Sequence, residues 1–467
     1  MTRILFMLLI FSFCFLRSYG QNSPLQEASY KFIDNINNND FNGFNKSFSF
    51  LVRTIIPKSA KQEMFDALTA EGQLELAGDY IERSPRSSLV GFYPTSDSLD
   101  GLQYLMLNFN KKYKLNSLRP REDNIIYQPI TEQTDMEDLV RPYTDFKNNS
   151  ALTIGIYHNG KKHFFEYGEL EKNMGKQPDQ YSLFQIGSVS KVLTGTLLAQ
   201  MHTQNKVSIH DSVNKYLPAE ISSLENKKRE VQLVDLATHS SRLPRDYNLE
   251  DVEENNPFSS FHREDLHSLL QEVDIDKKLG KEYAYSNVGV GMLGLILSDV
   301  ENTDFQTTLE KYVLSPLAMN STTVSVDENN PNKATSYAWG EKVDDMITND
   351  VMVASGGVYS CTNDMVNFIE NVTQPKNSTI QSAMDLATKV HFDKNKTLGL
   401  NWFHEQSKLG DWKWLKHEGN TPGSSSMLLI SKERNFGIVV LGNSSVHVDE
   451  LAYKVAELYL SDFENNK

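Results

Sequence analysis

Ser188 and Lys191 stand three residues apart in Gln185-Ile186-Gly187-Ser188-Val189-Ser190-Lys191, and Val192, Leu193, Leu197, Leu198 and Met201 continue at helical spacing. A separation of three puts the hydroxyl and the amine on one helix face, where one can activate the other for nucleophilic attack. The positive end of the helix favours negative charge growing on the serine oxygen and an uncharged lysine beside it. Taken alone, the spacing also fits an N-capping serine followed by a surface lysine.

Two later segments add complementary chemistry. Lys281-Glu282-Tyr283-Ala284-Tyr285-Ser286-Asn287 precedes an apolar helical run from Val290 to Val300. Tyr285 can shuttle a proton beside the serine and lysine, while the Asn287 amide can orient the lysine and hold a substrate carbonyl. His417-Glu418-Gly419-Asn420-Thr421-Pro422-Gly423 lies among strand-like runs. Gly419 lets that strand edge approach a ligand, the Asn420 N–H can join the Ser188 N–H in holding an oxyanion, and His417 can contact a substrate carboxylate or another polar group. Each segment has a plain reading too: a packed tyrosine, a capping asparagine, a structural histidine.

The elements that must position these residues read as a mixture of strands and helices. Ala151 to Tyr157 suits a strand, His158-Asn159-Gly160 a turn, and His163 to Tyr167 a returning strand. Residues 205–240 read as short helices separated by turns, Glu250 to Ser260 as a surface loop, and Ala354 to Ser360 as a tight passage of small residues. Gly399-Leu400-Asn401-Trp402 reads as the opening of a strand, and Met427 to Ile430 and Gly437 to Leu441 as two more. His158 and His163 lack a nearby carboxylate pair or third histidine, so no metal site is expected.

The first 20 residues carry Arg3, the apolar run Ile4 to Leu16, Arg17 and the small or turn-forming residues Ser18 to Gly20, the pattern of a signal peptide. No second long apolar run follows, so no integral membrane segment is expected in the mature chain, and a secreted, periplasmic or cell-envelope destination is. Residues 21–119 read as a small α+β accessory domain. Tyr30, Phe32, Ile33 and Ile36 suggest a helix, Lys58 to Gly72 a second, and Leu102, Tyr104 and Met106 a strand. Residues 120–144, charged and without sustained periodicity, read as a linker, and 145–467 as the catalytic domain. Beyond the signal only Cys361 remains, which excludes an internal disulfide framework. With 46 Lys and Arg against 61 Asp and Glu, the charge of −15 argues against nonspecific nucleic-acid binding.

Ser188-Val189-Ser190-Lys191, Tyr285-Ser286-Asn287 and His417-Glu418-Gly419, in this order, resemble the serine beta-lactamase and penicillin-binding-protein superfamily. Tyr-x-Asn and His-x-Gly are most similar to the branch holding class C beta-lactamases, D-alanyl-D-alanine carboxypeptidases, D-aminopeptidases and lactamase-like esterases. His239-Ser240-Ser241, Pro316-Leu317-Ala318-Met319 and Gly356-Gly357 reinforce the likeness across about residues 145–462. It implies an α/β fold: an antiparallel sheet of early and late strands, flanked by helices, with a helical subdomain inserted. It implies Ser188 as acylated nucleophile, Lys191 and Tyr285 as proton-handling groups, Asn287, His417, Gly419 and Asn420 around the substrate, and the Ser188 and Asn420 amides as oxyanion hole. The first domain resembles, faintly, small accessory domains related to nuclear-transport-factor-like folds.

Two departures bear on substrate. His417-Glu418 stands where class C beta-lactamases usually have lysine and threonine, and Arg242 ends a segment that commonly closes on glycine. No Gly-x-Ser-x-Gly elbow occurs, and His404-Glu405-Gln406-Ser407-Lys408 ends in lysine where a zinc helix needs histidine. The expected function is a cofactor-independent serine hydrolase acting on a small ester, amide or peptide, such as a cell-wall-derived one. The alternative is a noncatalytic penicillin-binding or peptidoglycan-sensing protein on the same fold.

Overall fold

The computed structural model describes residues 24–48, 74–84, 87–94, 103–109, 115–121, 134–144, 151–221, 223–247, 258–338 and 341–465, together with positions 61, 62, 65, 66 and 69. The signal-like segment, most of the helix expected from Lys58 to Gly72 and most of the Glu250 to Ser260 loop lie outside the described residues. The chain divides into two compact units at Gln128/Pro129.

The first unit holds α1 (Pro24–Asn37), α2 (Phe41–Ser47) and a four-stranded antiparallel sheet of β1 (Leu74–Ser84), β2 (Ser87–Pro94), β3 (Gln103–Phe109) and β4 (Leu115–Arg121), in that order. Phe32, Ile33 and Ile36 recur at helical spacing and bury one stripe of α1. Phe32 meets Phe44 with ring centroids 5.2 Å apart, and Phe44 meets Phe48 at 5.1 Å. Asp40 caps α2 by accepting the Gly43 N–H at 2.9 Å.

The second unit opens with a helix the sequence did not suggest. α3 (Met136–Thr144) lies within the expected linker, with Leu139, Val140 and Tyr143 buried along one stripe. Glu137, Asp138 and Arg141 interleave with that short stripe and mask its period. The strands that follow are β5 (Leu152–His158), β6 (Lys161–Tyr167), β7 (Phe184–Gln185), β8 (Tyr337–Ala338), β9 (Glu341–Lys342), β10 (Tyr359–Ser360), β11 (Phe392–Asp393), β12 (Thr397–Leu398), β13 (Phe403–Gln406), β14 (Lys413–Asn420), β15 (Ser425–Ser431) and β16 (Phe436–Gly442). Eight of them form one antiparallel sheet in the order β11-β12-β13-β14-β15-β16-β5-β6, so the earliest strands of the unit lie beside the last.

β5, β15 and β16 are buried along their whole length, which is why they read as continuous apolar runs rather than alternating ones. One face of the sheet carries α6 (Thr362–Thr373), and the Tyr157 hydroxyl reaches Gln374 just beyond that helix at 2.9 Å. The opposite face carries α8 (Asp449–Asn465), whose Tyr459 packs on Phe436, His158 and His163. The two early histidines therefore sit in aromatic packing. The β5–β6 hairpin turns through Asn159 and Gly160, both at positive φ.

Between β6 and β11 the chain folds mainly as helices, with α4 (Ser190–Thr203) packed against α5 (Asn287–Glu301) and α7 (Ser378–Thr388), and α7 also against α6. From Ser190 to Met201 every residue of α4 is buried, so this helix is the centre of the insertion rather than a surface element. Gly399 to Trp402 does not open a strand. Asn401 adopts φ 61°, and the Leu400 and Asn401 N–H groups donate to the carbonyls of Ala387 and Ala237, so these residues bend between β12 and β13. Among the described residues no helix is long and apolar enough to cross a membrane.

Candidate active site

Ser188 lies in a single 3-10 turn, Gly187–Val189, that runs directly into α4, so its side chain stands at the N-terminal end of a helix buried from Ser190 to Met201. Lys191 follows one turn later and is fully buried. Its Nζ donates to Ser188 Oγ at 3.0 Å and to the Ser355 carbonyl in the short helix Val353–Gly356. Burial holds the lysine far below its ordinary range, at about 7, with Asp246 opposing and Arg245 adding to the shift. A desolvated cation is costly, so the amine form is populated near neutral pH.

Tyr285 arrives from the opposite side and donates its hydroxyl to Ser188 Oγ at 2.9 Å. Lys191 Nζ sits 5.0 Å from the centre of the Tyr285 ring. Burial pushes the phenol above its ordinary value, so at neutral pH it keeps its proton rather than standing as an anion. Ser286 caps α5: its hydroxyl accepts the Gly289 N–H at 2.8 Å and donates to the Pro244 carbonyl at 2.6 Å. That cap fixes the turn carrying Tyr285 and Asn287.

Asn287 is placed differently from the sequence expectation. Its Nδ2 donates to Asp246 Oδ1 at 2.7 Å, so one of the two N–H groups of the amide that was to hold a substrate carbonyl is engaged by a carboxylate. The neighbouring Arg245 extends over the Tyr285 ring, with its guanidinium carbon 5.0 Å from the centroid, and its carbonyl accepts the Asn287 N–H at 2.7 Å.

β14 supplies the third wall. β13 pairs with it only through Lys416, so the edge of His417 to Asn420 faces the Ser188 turn instead of another strand. Thr421 N–H bonds the Ser424 carbonyl, and the alternation of an antiparallel ladder then turns the Asn420 N–H away from β15. Gly419 is required by this approach: a Cβ there would stand 2.0 Å from the Ile186 carbonyl oxygen and 3.0 Å from the Ser188 nitrogen. Ser426 Oγ ties the two pieces together by donating to the same Ile186 carbonyl at 2.8 Å.

His417 is buried, and its Nδ1 lies 2.7 Å from the Glu418 carbonyl, which can only accept, so Nδ1 carries the proton. Burial, then the charge of Lys191, lowers its pKa to about 3. A neutral imidazole shut away in this manner has no charge to offer the substrate carboxylate suggested from sequence. His239 is the residue sequence reasoning used only as a family marker. It is buried at φ 53°, stacks on Tyr285 with ring centroids 4.3 Å apart, and accepts the Ser286 N–H at Nδ1 over 3.2 Å. Burial, with the nearby Lys191, holds it well below its ordinary value. Asp235 braces this turn by taking both guanidinium nitrogens of Arg229 at 2.7 Å each and the Ser240 hydroxyl at 3.1 Å.

Arg242, where a glycine was expected, adopts φ 72° and directs its side chain to Asp276, at 3.2 and 3.3 Å. Cys361 is buried, and burial raises its thiol to about 12, which leaves it inert as a nucleophile. Among the described residues no cluster of three or more His, Cys, Asp or Glu is arranged to hold a metal.

Comparison with known proteins gives the same frame. The chain is 24% identical over 341 residues to the D-alanyl-D-alanine-carboxypeptidase/endopeptidase AmpH of Escherichia coli K12, covering 67% of this chain and 86% of that one. It is 29% identical over 195 residues to a beta-lactamase of Providencia stuartii, covering 42% and 47% respectively. A class C beta-lactamase structure superposes with a TM-score of 0.61 at 21% identity, covering 69% of this chain and 94% of the other. The beta-lactamase/D-alanine carboxypeptidase of Pseudomonas syringae superposes at 0.60 and 22% identity, covering 69% and 97%. The family model described as Beta-lactamase matches residues 136–460, from α3 into α8, and the chain belongs to that family.

Proposed function

We propose that this protein is a serine hydrolase that cleaves a small ester or amide through an acyl-enzyme on Ser188. The observation that carries the reading is the convergence of Lys191 Nζ and Tyr285 OH on Ser188 Oγ, at 3.0 and 2.9 Å, with the lysine held near neutrality. As Oγ bonds to the substrate carbonyl carbon, its proton passes to the Lys191 amine, and the carbonyl oxygen gains charge between the Ser188 and Asn420 N–H groups. The bond to the leaving group then breaks, and Tyr285 hands that group a proton replenished from Lys191. Water attacks the acyl carbon along the same relay in reverse and restores Ser188. All of these steps use side chains and main-chain amides of this chain.

Relatives named for carboxypeptidase, endopeptidase and beta-lactamase activity support amides and D-amino-acid peptides, cell-wall-derived ones included, among the substrates. The neutral, buried His417 offers no counter-charge to a substrate carboxylate, which favours esters and amides without one. The positively charged, then apolar N-terminus supports export, and N-terminal sequencing of the secreted chain is expected to start near Gln21. The first unit is proposed as an accessory module without catalytic residues.

Intact-protein mass spectrometry during turnover of p-nitrophenyl acetate or a penicillin tests the mechanism. Wild type should gain the acyl mass and Ser188→Ala should not. A Ser188→Ala protein that keeps both adduct and rate would sink it.

A further inference from the structure

The segment around Met346 is fastened to the chain that leads into the nucleophile. Gln185, three residues before Ser188 and 3% exposed, accepts the Met346 N–H at 3.0 Å and donates to the Met346 carbonyl at 2.7 Å, so one side chain satisfies both main-chain groups of Met346. Its other N–H reaches the Tyr359 hydroxyl at 3.2 Å, and that hydroxyl donates to Asp345 at 2.9 Å. Asp345 also pairs with Lys333 at 2.7 Å, both side chains being 9% exposed, and accepts the Ser336 hydroxyl at 2.6 Å. Residues 345 and 346 lie outside any strand, yet side chains from three separate stretches of chain hold them.

The half-buried Met346 side chain reaches the small-residue passage beside the catalytic pair. A Cβ on Gly356 would stand 3.4 Å from the Met346 methyl and 3.9 Å from the carbonyl carbon of Gly187. Next to these two glycines are Ser355, whose carbonyl receives Lys191, and Ser188 itself. On either side of Met346, Asp345 and Ile347 line a pocket of about 650 Å³ together with Leu170, Met174, Lys333 and Val343. The geometry points to Met346 as the partition between the Ser188 cleft and this pocket, with Gln185 as the positioning residue that holds it there, a reading that rests on acyl transfer at Ser188. While the partition stands, the cleft takes short groups. Removing the Met346 side chain joins the cleft to a pocket whose Leu170, Val343 and Ile347 side chains can bury added methylenes.

Full-length protein is given two series of esters. The p-nitrophenyl esters of acetate, butyrate and hexanoate lengthen the acyl group, and ethyl, butyl and hexyl acetate lengthen the alcohol, so the test does not presuppose which group faces Met346. Ser188 acylation and kcat/KM are followed in parallel. In wild type kcat/KM should not climb with chain length. Met346→Ala, checked for an unchanged thermal transition, should raise the ratio of longest to shortest ester by about tenfold in at least one series, the scale of burying between one and two methylenes. Met346→Phe should lower that ratio. Gln185→Ala should shift it in the same direction as Met346→Ala, and the two changes together should shift it no further, because the first acts through the second. Unchanged ratios in a folded Met346→Ala protein, or a wild-type kcat/KM that climbs with length in both series, overturn the inference while acylation by the acetates leaves acyl transfer intact. Additive effects of the two changes overturn the positioning role of Gln185. Failure of every ester to acylate Ser188 overturns the acyl-transfer reading and this inference with it.

Discussion

The inner and outer walls of the cleft differ in their access to water, and the difference divides their tasks. Lys191, His239 and His417 are at most 2% exposed, whereas the side chains of Arg245 and Asp246 are 69% and 23% exposed. On the inner wall burial sets protonation: Lys191 is held near 7 and both histidines stay neutral. On the outer wall, charges keep contact with solvent and can exchange partners. Chemistry is therefore expected to depend on desolvation and selectivity on exchangeable charge.

The sharpest way to break this division is Lys191→Ala, which should lower the acylation rate by about 10²–10⁴-fold while leaving substrate preference alone, measured in single-turnover assays. Tyr285→Phe should follow in the same direction. Next is Gly419→Ala, whose Cβ would press on the Ile186 carbonyl and spread the two oxyanion amides. It should cost on the order of 10²-fold in kcat with a smaller change in KM.

Ser188, Lys191, Tyr285, Asn287, His417, Gly419 and Asn420 could be named as candidates from their types and local spacing, but the contact of Asn287 with Asp246 and the neutral state of His417 could not. The Ser355 carbonyl, the His239 stack and the Asp246 clamp on Asn287 were not legible. A main-chain carbonyl has no sequence signature, and the other two contacts span 46 and 41 residues with nothing local to announce them. The fold was legible where β15 and β16 are buried along their length, and illegible at α3, whose apolar stripe is short.

Acidity gives a further test. Wild-type acylation should rise with pH through about 7 as Lys191 loses its proton. The folded lysine titrates near 7 and the unfolded one near its ordinary value, so between those limits the unfolded chain binds the extra proton. Stability of the wild type should thus increase with pH across that window, by linkage. Lys191→Met should raise Tm at neutral pH, and its advantage over wild type should shrink in alkaline buffer, as read by calorimetry.

Smaller effects come from outside the cleft. A chain starting at residue 145 lacks α3 and uncovers the surface of α8 against which Leu139, Val140 and Tyr143 pack, so its Tm should lie below that of a chain starting at Pro129. Arg242→Gly should change little. The relief of a left-handed arginine, about 1 kcal/mol, offsets the added glycine entropy and the loss of the part-buried pair with Asp276, and kcat/KM should stay within about twofold of wild type.

The strand order has a consequence for when activity can appear. Leu152 pairs with Gly442, and the Asn420 amide stands on a strand that takes its place through β15 and β16. An emerging polypeptide can build α4 and display Ser188 well before that partner strand exists, yet the proposed oxyanion site is incomplete until β14 to β16 have been synthesised. Such distant pairing slows folding. Hydrolysis should switch on only once β16 has emerged, and a polypeptide halted before β16 should be unable to acylate itself.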